Sequence, residues 1–174
     1  RDLVAVLQAQ GYSALALFGE LEQRERDQVL VQFANRSCSV LVATDVASRG
    51  LDISQLEAVI NVDITPDPEV HVHRIGRTGR AGESGLALSL ASLHEMGFVG
   101  RIEQYQHRES VWHPLSSLTP SGKGPLQPPM VTLQILGGRK DKIRPGDVLG
   151  ALTGEAGFTA AQVGKIQVTD QSTY

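Results

Sequence analysis

Arginine recurs at every third position in His73-Arg74-Ile75-Gly76-Arg77-Thr78-Gly79-Arg80-Ala81-Gly82. On a helix, Arg74, Arg77 and Arg80 would share one face. Glycines at 76, 79 and 82 leave the backbone open to close approach and let the helix end. A row of guanidiniums beside open backbone suits a polyanion such as the γ-phosphate of ATP, because each fork donates several hydrogen bonds along with its charge. The plainer reading is a solvated basic helix that makes ion pairs.

A second stretch, Leu41-Val42-Ala43-Thr44-Asp45-Val46-Ala47-Ser48-Arg49-Gly50-Leu51-Asp52-Ile53, runs from an apolar strand into a polar turn. Ligands of open α/β sheets collect at the carboxyl ends of strands, which is where Thr44 and Asp45 fall. Thr44 has the reach for a phosphate oxygen, and Asp52 can accept from a ribose hydroxyl. Each acid also has a plain structural use, Asp45 as a helix cap and Asp52 in closing a turn. A third cluster lies near the end of the chain. Arg139, Lys140, Lys142 and Arg144 against Asp141 give a net charge of +3 over six residues, either a phosphate-contacting loop or a solvated one.

The elements that must position these groups follow from periodicity. Leu3 to Leu7 repeats apolar residues at helical spacing and stops near Gly11. Ala14-Leu15-Ala16-Leu17 is a short strand. Leu21 to Asn35 reads as an amphipathic helix with Leu21, Val29, Leu30 and Phe33 on its inner side. Ser39 to Ala43 and Ala58 to Val62 are continuous apolar runs, as in parallel strands covered on both faces. Pro68 to Arg74 reads as a helix, Leu86 to Leu90 as a strand, and His94 to Gln106 as a last helix. Strand, crossover helix and strand in repetition predict an open parallel α/β sheet with helices on both faces. Residues 110–129 hold Pro114, Pro120, Pro125, Pro128 and Pro129 and read as a linker. Beyond it, Val131 to Leu136 alternates like a strand, Asp147 to Leu152 reads as a short helix, and Gly164 to Val168 as a second strand. That is too little apolar mass for a complete core, so this tail is expected to be a domain cut short.

Composition sets bounds on the rest. The chain has 174 residues and net charge −3, with no apolar run near the roughly 20 residues of a membrane-spanning helix. Residues 1–93 carry 8 Lys+Arg against 12 Asp+Glu, and all eight cations are arginine; residues 94–174 carry 8 against 7. A strongly basic coat is therefore absent, and charge acts locally. Cys38 is the only cysteine, which excludes a disulfide framework and a cysteine-based zinc site and favours a reducing compartment. His71 and His73 are two apart, which does not favour one helix face, so no metal pair is expected. Trp112 is expected to pack the linker onto the preceding domain. The opening Arg1-Asp2-Leu3-Val4-Ala5 is neither a start methionine nor a signal peptide, and the chain reads as a piece of something longer.

Taken together, residues 41–53 and 73–82 resemble motifs V and VI of the superfamily 2 helicases. The form His73-Arg74-Ile75-Gly76-Arg77-Thr78-Gly79-Arg80 is similar to that of the DEAD-box RNA helicases. Gln23-Arg24-Glu25-Arg26, after Phe18-Gly19-Glu20, resembles their Q-x-x-R element. The resemblance covers residues 1–107 as most of a second RecA-like lobe. It implies that Arg77 and Arg80 are arginine fingers that meet the γ-phosphate when two lobes close, that Asp52 holds the ATP ribose, and that His73 contacts the catalytic motifs of the first lobe. It implies further that Gly19, Gln23, Arg26 and Thr44 line the RNA backbone and that Arg49 bridges to the other lobe. ATP with Mg2+ is the implied cofactor, with most ligands on a first lobe of the same chain. These 174 residues contain neither G-x-x-x-x-G-K-[ST] nor Asp-Glu-Ala-Asp, so by themselves they are expected not to hydrolyse ATP.

The run from Gly137 to Gly154 resembles the opening of the RNA-binding domain of DbpA-type helicases, which is RRM-like. Residues 108–129 would be the linker and 130–174 a truncated α+β part of that domain, with Arg139, Lys140 and Lys142 on RNA. Val131 to Leu136 lacks the aromatic residue on which an RRM stacks a base, so loop contacts are favoured over stacking. The resemblance implies a ribosomal RNA hairpin as target, a role in large-subunit assembly, a cytoplasmic monomer and no membrane. Three other readings stand beside it: a DeaD-type cold-shock helicase, whose tail opens similarly; a non-catalytic RNA clamp that kept the lobe; and a superfamily 2 DNA translocase.

Overall fold

The computed structural model describes residues 2–45, 56–79, 84–120 and 122–174. The described residues fall into two compact units, one drawn from Arg1–Ser48 and Lys123–Tyr174, the other from Arg49–Gly122.

In the first unit, helix α1 (Asp2–Ala9) leads to strand β1 (Ala14–Leu17), helix α2 (Gln23–Ala34) and strand β2 (Val40–Ala43). β1 and β2 pair in parallel, with Ala14 opposite Val40 and Leu17 opposite Ala43. A parallel pair needs a crossover, and α2 supplies it. α2 starts without a Ser, Thr or Asp cap; Glu25 Oε2 instead accepts from the Glu22 N–H at 3.1 Å. Both helices pack on β1, whose Ala14 and Leu17 are buried together with Val4, Val31 and Cys38.

The second unit repeats the plan with strand β3 (Ala58–Asn61), helix α3 (Pro68–Ile75) and strand β4 (Leu86–Ser89), followed by helix α4 (Met96–Gln106). β3 and β4 are parallel, with Ala58 opposite Leu86. Asp67 caps α3 by accepting from the Glu69 N–H at 2.9 Å, and Pro68 opens the first turn, where its missing N–H is harmless. Ile64, Val99 and Ile102 form the core, with Ala91 and Phe98 against them. Glu95 ties the layers together: it accepts from the Ile64 N–H at 2.9 Å and from both the N–H and the hydroxyl of Ser92.

The α/β class with parallel strands agrees with the sequence reading. Coverage of the strands differs from it. Ile60 of β3 is 60% exposed and Leu86 of β4 51%. Among the described residues the strands form two two-stranded sheets, and a pair of strands is too narrow to be sealed on both faces. Trp112 also differs, being 55% exposed rather than packed down.

The tail contains helix α5 (Pro145–Thr153), but the two strands expected there do not form. Ile135 bridges Thr173, and Val168 bridges Thr173. Alternation sets a face for each run; a ladder requires a partner along its whole length, and these runs meet one only at single positions. No helix among the described residues is long and apolar enough to cross a membrane.

Candidate nucleotide and RNA contact residues

The carboxyl edge of the β1–β2 pair gathers four predicted residues. Thr44 follows β2 directly, and its N–H donates to the Leu17 carbonyl at 3.1 Å, extending the ladder by one step. Gly19 lies two residues past β1, and Gln23 opens α2, with Arg26 one turn on. Because paired parallel strands end at the same edge, Gly19 and Thr44 emerge side by side. Gly19, Gln23 and Thr44 are exposed, and Arg26 is half-buried. The Gln23 amide also donates to Asp27 Oδ1 at 2.7 Å, which holds it along the helix. The rim thus combines amide, hydroxyl and guanidinium groups, the types that can take up a sugar–phosphate chain.

Arg139, Lys140 and Lys142 occupy a different part of the same unit. Residues Arg139–Asp141 form a single tight helical turn. Its amides are anchored: Arg139 N–H donates to the Thr169 carbonyl at 2.8 Å and Lys140 N–H to the Asp170 carbonyl at 3.1 Å. Asp141 Oδ2 accepts from the Gly138 N–H at 3.0 Å. Gly138 allows this closeness, for a β-carbon there would stand 2.6 Å from the Asp170 carbonyl carbon and 2.7 Å from the Gln171 nitrogen. Lys142 ends the turn in the left-handed region at φ +63°. All three basic side chains are exposed. Arg139 Nε also meets Asp170 Oδ1 at 3.3 Å, an open ion pair that a phosphate can displace.

The second unit holds His73, Arg74 and Arg77. The expectation of one helical face for the arginines is corrected here. α3 ends at Ile75, and Arg77 lies in the turn beyond it. Gly76 N–H closes the helix on the Val72 carbonyl at 2.9 Å, and Gly79 turns the chain at φ +65°. Arg74 faces back, donating from Nη1 to the Asp63 carbonyl at 2.8 Å. His73 is exposed and Arg77 half-buried. The turn itself is stitched in place. Leu56 N–H donates to the Arg77 carbonyl at 3.0 Å, and the Thr78 hydroxyl bonds the Leu56 carbonyl. Gly85 lies against it so closely that a β-carbon would stand 2.8 Å from the Gly79 Cα. Neither Thr78 nor Gly85 carried a signal in the sequence; their roles depend on pairing with residues 22 and 6 positions away. Asp52, Arg80 and Arg49 lie outside the described residues.

Each unit buries one titratable group whose pKa is displaced. His71, buried in α3, has an imidazole whose Nδ1 finds no partner among the described residues. Burial, and then the charge of Arg74, hold its pKa below the usual histidine value. In the other unit the Cys38 thiol is pushed up by burial and donates to the Ser13 and Val40 carbonyls, which marks it as inert packing. Among the described residues no group of three His, Cys, Asp or Glu side chains could share a metal ion. The donors around the end of α3 are cationic and fit a phosphate rather than Mg2+.

Comparison with known proteins converges on one group. Residues 2–82 match the family described as helicase conserved C-terminal domain, and residues 132–174 match the DbpA RNA binding domain. The ATP-dependent RNA helicase DbpA of Escherichia coli (strain K12) is 53% identical over 167 residues, which cover 94% of this chain and 35% of that protein. The chain thus spans about a third of the length of this relative. The E. coli DEAD-box protein SrmB, solved bound to regulator of ribonuclease activity A, superposes with a TM-score of 0.63 at 33% identity, covering 72% of this chain and 74% of that one. A DEAD box protein from Methanococcus jannaschii gives 0.59 at 39% identity, covering 62% and 30%.

Proposed function

The chain belongs to the DEAD-box RNA helicase family and to its DbpA type, and from this premise we propose that it is the second lobe and part of the RNA-binding domain of an ATP-dependent RNA helicase. Residues 1–107 would be the lobe, 108–129 the linker and 130–174 the RNA-binding portion. The observation that carries the reading is the turn after α3. Its backbone is fixed at Arg77 by Leu56 and at Thr78 by a hydroxyl bond, and it carries the half-buried Arg77. A guanidinium on such a base is preorganised to meet charge that develops on a γ-phosphate, and preorganised charge is what lowers a phosphoryl-transfer barrier.

ATP with Mg2+ would supply the free energy of the cycle, held largely by a first lobe that carries the phosphate loop. Arg77 and Arg80 would neutralise the γ-phosphate only in the closed state, which couples closure to hydrolysis. Asp52 would hold the ribose, and His73 would report nucleotide state to the first lobe. Gly19, Gln23, Arg26 and Thr44 would grip RNA by sugar and phosphate. Arg139, Lys140 and Lys142 would deliver the enzyme to a hairpin of 23S ribosomal RNA during large-subunit assembly in the cytoplasm, acting as a monomer. Residues 1–174 alone would not turn over ATP. The test is Arg77→Ala in the full-length helicase. It should leave RNA affinity within about twofold while lowering RNA-stimulated hydrolysis by about 10²-fold or more, the scale of losing one transition-state donor. Equal loss of RNA binding and hydrolysis would assign Arg77 a structural role instead.

A further inference from the structure

Gln28 and Gln32 stand four residues apart on α2 and so share one face. Gln23 and Arg26 point elsewhere, since each residue advances the helix by about 100°. Together with Thr132, Gln134 and Tyr174 of the tail, the two glutamines line an open cleft of about 210 Å3. All five residues belong to the same compact unit. The tail wall is held to the lobe. The Ser37 and Thr132 hydroxyls share a hydrogen bond, and Met130 N–H donates to the Arg36 carbonyl at 3.3 Å. Tyr174 is fixed through its backbone, which exchanges two 2.9 Å bonds with Gln167, and through its hydroxyl, which accepts from the Gln134 amide at 3.1 Å.

The lining is three primary amides, a threonine hydroxyl and one aromatic ring, with no charged side chain among the described residues. A phosphate would find no cation there, and a metal ion no carboxylate. The volume is below the roughly 300 Å3 at which sites for drug-sized ligands begin. A nucleobase fits the set: its edge offers adjacent donors and acceptors, which a glutamine amide can answer in kind, and its face suits a tyrosine ring. Gln32 Nε2 donates one hydrogen to the Gln28 carbonyl at 3.3 Å, which leaves its second N–H and its oxygen for a ligand.

We propose that this cleft takes one unpaired RNA base, read by Gln28 and Gln134 and stacked on Tyr174, in the same compact unit as the basic turn at 139–142. The proposal rests on the RNA-binding reading above, and the test separates the two. The 174-residue chain is titrated with a blunt RNA hairpin and with the same hairpin carrying a five-nucleotide adenine extension that contains 2-aminopurine. The extension should tighten binding about five- to tenfold, the low end for stacking on an aromatic at an open site, and should quench the fluorophore. Gln28→Ala and Tyr174→Ala should each abolish that gain and leave blunt-hairpin affinity unchanged, whereas Tyr174→Phe should keep most of it. Replacing Arg139, Lys140 and Lys142 by glutamine should weaken both RNAs and flatten their salt dependence. An extension that adds nothing, while the glutamine triple variant still weakens the blunt hairpin, overturns the cleft and leaves the RNA reading standing. Gln28→Ala that lowers the unfolding midpoint and weakens both RNAs alike makes the cleft a mere joint and also overturns it. Absence of binding by either RNA sinks both.

Discussion

Replacing Gly138 by alanine should dislodge the basic turn without touching any charge. A β-carbon at this position would come within 2.6 Å of the Asp170 carbonyl carbon and 2.7 Å of the Gln171 nitrogen, and closer still to the Thr169 oxygen. These are backbone atoms and cannot rotate away, so the 169–171 turn must move as a body. That motion breaks the Arg139–Thr169 and Lys140–Asp170 backbone bonds, about 1 kcal/mol each. Forced overpacking adds about 1–3 kcal/mol. With partial relaxation the total comes to about 3 kcal/mol, local to the tail. The control is Gly146→Ala, in the first turn of α5, where a β-carbon meets nothing within 4 Å. That change should stabilise by about 0.5–1 kcal/mol through helix propensity. Hydrogen exchange at the Arg139 and Lys140 amides is the assay, because it reads the two bonds directly: protection should fall more than a hundredfold in Gly138→Ala and hold or rise in Gly146→Ala. Unchanged protection in Gly138→Ala would refute the packing argument outright, since no side-chain adjustment can create that space.

Two further predictions concern pH. The Glu95 carboxyl is held below its usual range, first by the Ser92 hydroxyl, then by the Ser92 and Ile64 amides. A depressed folded value means stability that is present above the unfolded carboxylate pKa and lost as pH falls through the folded one. Glu95→Gln should therefore lower the unfolding midpoint at pH 7 and flatten its decline between about pH 5 and 3. His71 is likewise depressed, by burial first and by Arg74 second, so its contribution is present above the unfolded value of about 6.5 and lost as pH drops below it. His71→Leu removes both that titration and an orphaned ring nitrogen. It should raise stability at pH 7 by about 1 kcal/mol and leave the midpoint level from pH 7 to 5.5, which thermal unfolding at each pH would check.

How much of this was legible in the residues can be argued case by case. α3 was, as Pro68 to Arg74, and the structure adds the local reason: Asp67 caps the helix that Pro68 opens. Thr44 was legible at a strand end, because the end of an apolar run marks where a strand stops, whereas Gly19 came only from the resemblance. The arginine row misled. Three-residue spacing fits a helix only while the helix lasts, and Gly76 ends it before Arg77. Val131 to Leu136 misled for a related reason, since alternation describes which side is apolar and not whether a neighbour runs alongside. The Thr78–Leu56 bond, the Ser37–Thr132 bond and the approach of Tyr174 to α2 were invisible. Each joins residues whose types are common and whose separation in sequence is long.

The correction at Arg77 bears on what the residue can do. A guanidinium carried on a helix face keeps its base only as rigidly as the last turn of that helix, and last turns fray. Here the base is instead pinned from outside the helix, at Leu56 on one side and Gly85 on the other. The backbone beneath Arg77 is thereby held in place. A charge that must meet a phosphate in one state only is well mounted on such a base, because the anchor fixes where it can reach. The same logic separates the two kinds of cation in this chain. Arg139 and Lys140 also sit on pinned backbone, yet their side chains are exposed, which suits binding that persists and responds to salt. Half-burial of Arg77 suits a contact completed only when another surface arrives.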